Sequence, residues 1–141
     1  MMDWDKQIID DWRELGFYYQ RDDDLKQWWL IGSQFGLSKF TNHLLNYSKE
    51  ISMKDISEHI HLGPHQYLEI MTWHTPLISE HAIGGSLADI GRLKTMINNK
   101  LLSTTVGETF EIGIDYAPDS EYIIRFFVMA DNFDPSSIEL K

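Results

Sequence analysis

The chain contains no cysteine. That removes disulfides, thiolate metal sites and a cysteine nucleophile together, and it agrees with a reducing, cytoplasmic setting. The first residues, Met1-Met2-Asp3-Trp4-Asp5, are acidic where a secretion signal carries positive charge ahead of an apolar run. No apolar stretch approaches the length of a membrane span, so no membrane partner is expected. Basic residues are scarce, 12 against 22 acidic, for a net charge of −10. A general basic surface for nucleic acid is thereby excluded. Also missing are the Gly-x-Ser-x-Gly nucleophile elbow and the lysine-bearing glycine loop that cradles phosphate. Asp22-Asp23-Asp24 reads as a solvated turn and carries no hydrolase chemistry by itself.

What remains is ordinary globular material, 43% hydrophobic and 24% charged, of a length that suits one domain over residues 1–141. Its organising feature is a strand that breaks at Gly-Ser and becomes a helix, and this feature occurs twice. Gly32 and Ser33 recur as Gly85 and Ser86, and Leu37, Lys39, Phe40 and Leu44 recur as Ile90, Arg92, Leu93 and Ile97. Pro64 and Tyr67 have counterparts in Pro118 and Tyr122 at nearly the same offset. Two stretches that share turn chemistry and helix face imply one supersecondary unit used twice.

Hydrophobic periodicity supplies the elements. Trp4, Ile8, Trp12 and Leu15 form a helical stripe, with Asp3 as its cap and Gly16 closing it. Phe17–Gln20 and Gln27–Ile31 read as a hairpin around Arg21–Asp24. Ser33 and Ser86 are natural helix caps, and Ser86 with Asp89 has the spacing of a capping box. Glu58–Leu62 and Tyr67–Trp73 form a second hairpin, a short strand follows at Ala82–Gly84, and Phe110–Tyr116 with Tyr122–Ala130 form a third hairpin. The expected fold is α+β. A strand-strand-helix-strand-strand unit, over about 17–73 and again over 70–129 with one shared strand, would give a seven-stranded, largely antiparallel sheet. Two helices would cover one face, with the N-terminal helix added. The end, Asp131–Lys141, is expected to trail, with Phe133 pinned.

Three groups of residues bear on function. His59 and His61, two apart on a strand, point to one face, and His65 follows just past the turn. These are expected to be solvated or to face a partner, with no metal or other cofactor. The alternative is a small metal- or ligand-dependent enzyme working on the His59/His61/His65 face. Trp28 and Trp29 are adjacent, so one of them leaves the helix-covered face, to pack under the N-terminal helix or to wait for a partner. Arg125 interrupts the apolar run 122–130, which suits a strand covered on both faces or one that meets a second copy in a homodimer. A buried arginine there would require a carboxylate.

Negative charge is concentrated at the ends of the chain. Residues 1–24 carry eight acids and three bases (−5), residues 108–141 eight acids and two bases (−6), and the middle is +1. Turns present charge freely, so the expected partner-binding residues are Asp22, Asp23 and Asp24 in the first turn and Asp115, Asp119 and Glu121 around the last. No catalytic residue is expected. Finally, Gly32-Ser33-x-x-Gly36-Leu37 opening a helix, followed by Glu58-His59-Ile60-His61-Leu62, resembles a family of bacterial immunity proteins across about residues 28–73, and more weakly across 82–129. The resemblance implies a non-enzymatic, cytoplasmic α+β protein without cofactor that binds and neutralises a toxin. The acidic ends suit a basic one.

Overall fold

The computed structural model describes residues 4–139, so the expected cap Asp3 lies outside the described residues. Helix α1 (Trp4–Leu15) buries Trp12 and Leu15 and packs Ile8 at the edge of the core, whereas Trp4 at its start is 66% exposed. Gly16 closes the helix at φ +94°, a conformation that favours glycine, and its N–H donates to the Trp12 carbonyl at 3.0 Å. The chain then forms β1 (Tyr18–Asp22) and β2 (Gln27–Ser33).

Helix α2 (Gln34–Lys49) starts where Ser33 Oγ accepts the Gly36 N–H at 3.0 Å. Its inward stripe is Leu37, Phe40, Leu44 and Tyr47. After a 3-10 turn at Ile51–Met53 come β3 (His59–Leu62), β4 (Leu68–Thr72), β5 (Leu77–Ile78) and β6 (Ala82–Gly85). Helix α3 (Leu87–Leu102) opens on the expected capping box: Ser86 Oγ accepts the Asp89 N–H at 3.0 Å, and Asp89 accepts the Ser86 N–H at 3.1 Å. Its stripe is Ile90, Leu93, Ile97 and Leu101. The two helices pack side by side and antiparallel. Gln34 at the start of α2 donates to the Leu101 carbonyl at the end of α3, and Gly91 lies beside Ser48.

The class is α+β, with the paired helices and the added N-terminal helix as expected. The strands, however, form two sheets instead of one sheet of seven. Strands β7 (Thr109–Ile112) and β8 (Ile123–Met129) complete the order β1-β2-β8-β7 in sheet A, while sheet B runs β3-β4-β6-β5. Strand β2 pairs parallel with β8 from Gln27↔Ile123 to Ser33↔Met129, and β4 pairs parallel with β6. Each sheet therefore joins one hairpin from each half of the chain, and both halves have the order ββαββ. No strand is shared, because β5, a two-residue strand, opens the second half. Strand β7 also stops earlier than its alternation suggests. Gly113 starts a turn in which its carbonyl accepts the N–H groups of Tyr116 and Ala117, leaving Ile114 79% exposed. Tyr116 is thereby freed to reach across, and its buried hydroxyl donates to the Gly84 carbonyl in sheet B at 2.6 Å. Burial raises its pKa.

Further bonds tie the sheets together, Tyr19 Oη to the Leu62 carbonyl at 2.5 Å and Trp28 Nε1 to the Ser79 carbonyl at 2.7 Å. A single core results, with Trp12, Phe17, Trp28, Phe40, Phe126 and Tyr116 among its fully buried large side chains. Residues 131–139 of the expected tail do not trail, and Leu140 and Lys141 lie outside the described residues. A 3-10 turn at Pro135–Ser137 docks on α1, where Arg13 donates to Asp134 at 2.8 Å. That hydrogen bond, with those from Ser136, holds the Asp134 carboxyl at about 2. Among the described residues, no helix is long and apolar enough to cross a membrane.

Candidate functional site

The six acidic residues expected to meet a partner all lie at one end of sheet A, in or next to its two turns. Asp22 ends β1, Asp23 and Asp24 follow in the β1–β2 turn, and the β7–β8 connection carries Asp115, Asp119 and Glu121. Because β2 and β8 start in register, the two turns are brought against each other. Lys26 Nζ bonds Glu121 at 2.6 Å, Tyr122 Oη donates to Asp23 at 2.9 Å, and the Ile123 N–H donates to the Lys26 carbonyl at 3.1 Å. Asp22 accepts the Leu25 N–H at 2.9 Å and thereby shapes its turn. Arg21 links Asp23, at 2.5 Å, to the Glu80 carbonyl in the β5–β6 connection, also at 2.5 Å.

These pairings set the electrostatics. The Arg21 hydrogen bond, helped by Tyr122, holds the Asp23 carboxyl below the usual carboxylate range, and Lys26 does the same for Glu121. Asp24 and Asp119 are exposed, and Asp119 lines a cleft of about 370 Å³ with Lys26, Glu80, Ser120 and Glu121. Among the described residues this end gathers Asp22, Asp23, Asp24, Glu80, Asp119 and Glu121 against the cations Arg21 and Lys26, an excess of four negative charges (six minus two) with His81 counted neutral beside Glu80. Asp115 belongs to the same connection but turns toward α3. There burial pushes its carboxyl up, but Lys100 at 2.9 Å and the Gly113 N–H outweigh burial and lower it.

Sequence reasoning did not assemble the surface next to this acidic end. Alternation sends Tyr19, Trp28, Leu30, Ile124, Phe126 and Ile112 inward, so the opposite face of sheet A carries the complementary set. Across the four strands, Gln20, Trp29, Arg125 and Glu111 stand in one row, and Tyr18, Ile31, Phe127 and Thr109 in the next. Trp29 and Phe127 pack edge to face with centroids 5.5 Å apart, and Ile123 and Met129 extend the apolar area. Trp29 packs on Phe127, not under the N-terminal helix, which lies on α2 and the C-terminal turn and reaches sheet A at the β1 edge, where Trp12 meets Tyr18 and Tyr19. Strand β8 is covered on one face only, and Arg125 meets its carboxylate in Glu111, directly opposite on β7. Adjacent Trp28-Trp29 was the signal that this face held an aromatic. Which residues surround it depends on the register.

The three histidines do not form one group. His65 leaves His59 and His61 and packs against Trp12 and Tyr67, where its Nε2 meets the Glu139 carboxylate. Glu139 also accepts the Trp12 indole N–H, at the mouth of an aromatic cleft of about 490 Å³. Ser33 and Ser86 are both engaged as caps. Compared with protein-family models, curated proteins and solved structures, the chain matches none.

Proposed function

We propose that the chain is a non-enzymatic binding protein that takes a basic protein partner on the open face of sheet A, as an immunity-like inhibitor of a basic toxin would. One observation carries this reading: a sheet face with Trp29, Ile31 and Phe127 at its centre, beside the Arg125–Glu111 pair, ends at two turns with an excess of carboxylates. That is the anatomy of a hot-spot interface, aromatic and desolvated at the centre and polar at the rim. The two parts have separable work. The acids steer a basic partner inward and so govern the association rate, while the aromatic centre governs residence time. Resemblance of residues 28–73 to immunity proteins supports the toxin as the class of partner, and the net charge of −10 supports its being basic.

The test is co-purification with the product of the adjacent gene, followed by rate measurements. Neutralising Asp22, Asp23, Asp24, Asp115, Asp119 and Glu121 together should slow association by about 10-fold or more at low salt. Raising the salt toward 1 M, where the Debye length falls to about 3 Å, should have the same effect on the native chain. Trp29→Ala should instead speed dissociation by about 30-fold, the usual cost of losing a hot spot. A partner that binds equally well after both changes overturns the reading.

A further inference from the structure

We propose that His59, His61 and Glu69, on the outward face of sheet B, form a binding site for a divalent transition metal, zinc in the first instance. The three side chains come from two paired strands. His59 and His61 are two apart on β3 and share a face, with ring centroids 5.0 Å apart and planes at 88°. The β3–β4 register sets Glu69 directly opposite His61 and brings its carboxylate within 3.6 Å of the ring's Nδ1. One ligating atom from each residue lies within 4.8 Å of the other two. Zinc bonds of about 2.0–2.2 Å hold donor atoms roughly 3.4 Å apart, so closure draws the three groups together and carries the Glu69 carboxylate from the Nδ1 side of His61 toward its Nε2.

The histidines are also held as ligands need to be held. His59 Nδ1 lies 2.9 Å from the Ser57 carbonyl, and His61 Nδ1 lies 3.0 Å from the Gln66 carbonyl. A carbonyl can only accept, so each Nδ1 carries the proton and each Nε2 keeps a free lone pair. Fixing the tautomer through the far nitrogen is what the outer shell of a metal site does. Ser57 and Gln66, which supply those carbonyls, are two of the three described non-glycine residues with positive φ, at +75° and +59°. Side chains rarely adopt that backbone conformation.

The donor set decides the class of ion. Two imidazoles and one carboxylate suit zinc or a neighbouring first-row metal better than calcium or magnesium, which prefer oxygen throughout. Three protein ligands on an exposed surface leave further positions for water, the pattern of an open site. The site lies on a different sheet from Trp29 and does not depend on partner binding. Sequence alone favoured solvated histidines because Glu69 becomes a neighbour only through strand register.

Zinc alone, titrated calorimetrically into the full chain at neutral pH, should bind once per molecule. His59→Ala and His61→Ala should each weaken it by about 100-fold or more, since loss of a mere outer-shell partner already costs 10- to 100-fold. Glu69→Gln should weaken it by at least about 10-fold, and His65→Ala should change nothing. Independently of any variant, zinc should shift the imidazole nitrogen resonances of His59 and His61 in the native chain while leaving those of His65 in place. Absence of stoichiometric binding, full affinity in the His59→Ala/His61→Ala double variant, or shifts centred on other histidines would each overturn the site.

Discussion

Gly36 sits in the first turn of α2, directly beneath the loop that ends α1. A Cβ at this position would overlap the Gly16 carbonyl oxygen, part of the backbone and unable to swing aside. Glycine inside a helix ordinarily costs about 1 kcal/mol relative to alanine, so Gly→Ala is usually stabilising. Here steric overlap decides the sign. We expect Gly36→Ala to lose about 1–3 kcal/mol, the range for forcing extra atoms into packed space. Gly91 in α3 is the internal control, since a Cβ there meets only Ser48 at 3.7 Å, an ordinary contact. Gly91→Ala should gain up to about 1 kcal/mol. Urea midpoints of the two variants should therefore move in opposite directions, and equal shifts would refute the crowding argument. Gly16, on which Gly36 packs, was legible in the sequence because a helix stop is local. The constraint on Gly36 was not, because it comes from a segment twenty residues away.

Among the elements, the helices were the most legible, for a physical reason. Their starts carry side-chain caps that act within three residues, and their stripes repeat every turn. Both Ser33 and Ser86 accept the N–H three residues on, at 3.0 Å each. Ser33→Ala and Ser86→Ala should each lose about 0.5–2 kcal/mol by thermal or urea unfolding. Partner binding should survive at temperatures where the variants remain folded. A Ser86→Ala protein of full stability that no longer bound its partner would assign that serine to the interface instead. Strands were less legible. Strand β7 was expected to run to Tyr116 because Phe110, Ile112, Ile114 and Tyr116 alternate, yet Gly113 and the Asp115 carboxylate that accepts its N–H turn the chain first. Strand β5, of two residues, has no periodicity to detect.

At the scale of the molecule, the acidic end of sheet A could be anticipated from charge position, but its apolar neighbour could not. Trp29 meets Phe127, and Gln20 shares a row with Glu111, only because β2 lies parallel to β8, and nothing in either strand's own pattern names that partner. The same pairing makes the two ββαββ halves interdependent. Residues 1–75 alone would contain β1–β2 and β3–β4 as separate two-stranded hairpins, each marginal in water. Strand β2 would lose the β8 edge, and β4 would lose the β6 edge. Trp28 and Leu30, buried in the whole chain, would lose Ile124 and Phe126 as neighbours in the sheet, and α2 would lose α3. We therefore expect fragments 1–75 and 76–141 each to lack a cooperative thermal transition by circular dichroism. Mixed at equal concentration, they should recover one, with a midpoint that rises with concentration because association is now part of folding. A fragment that melts cooperatively alone, with dispersed amide resonances, would show that each half carries a sufficient core and that the shared sheets are not what holds the molecule together.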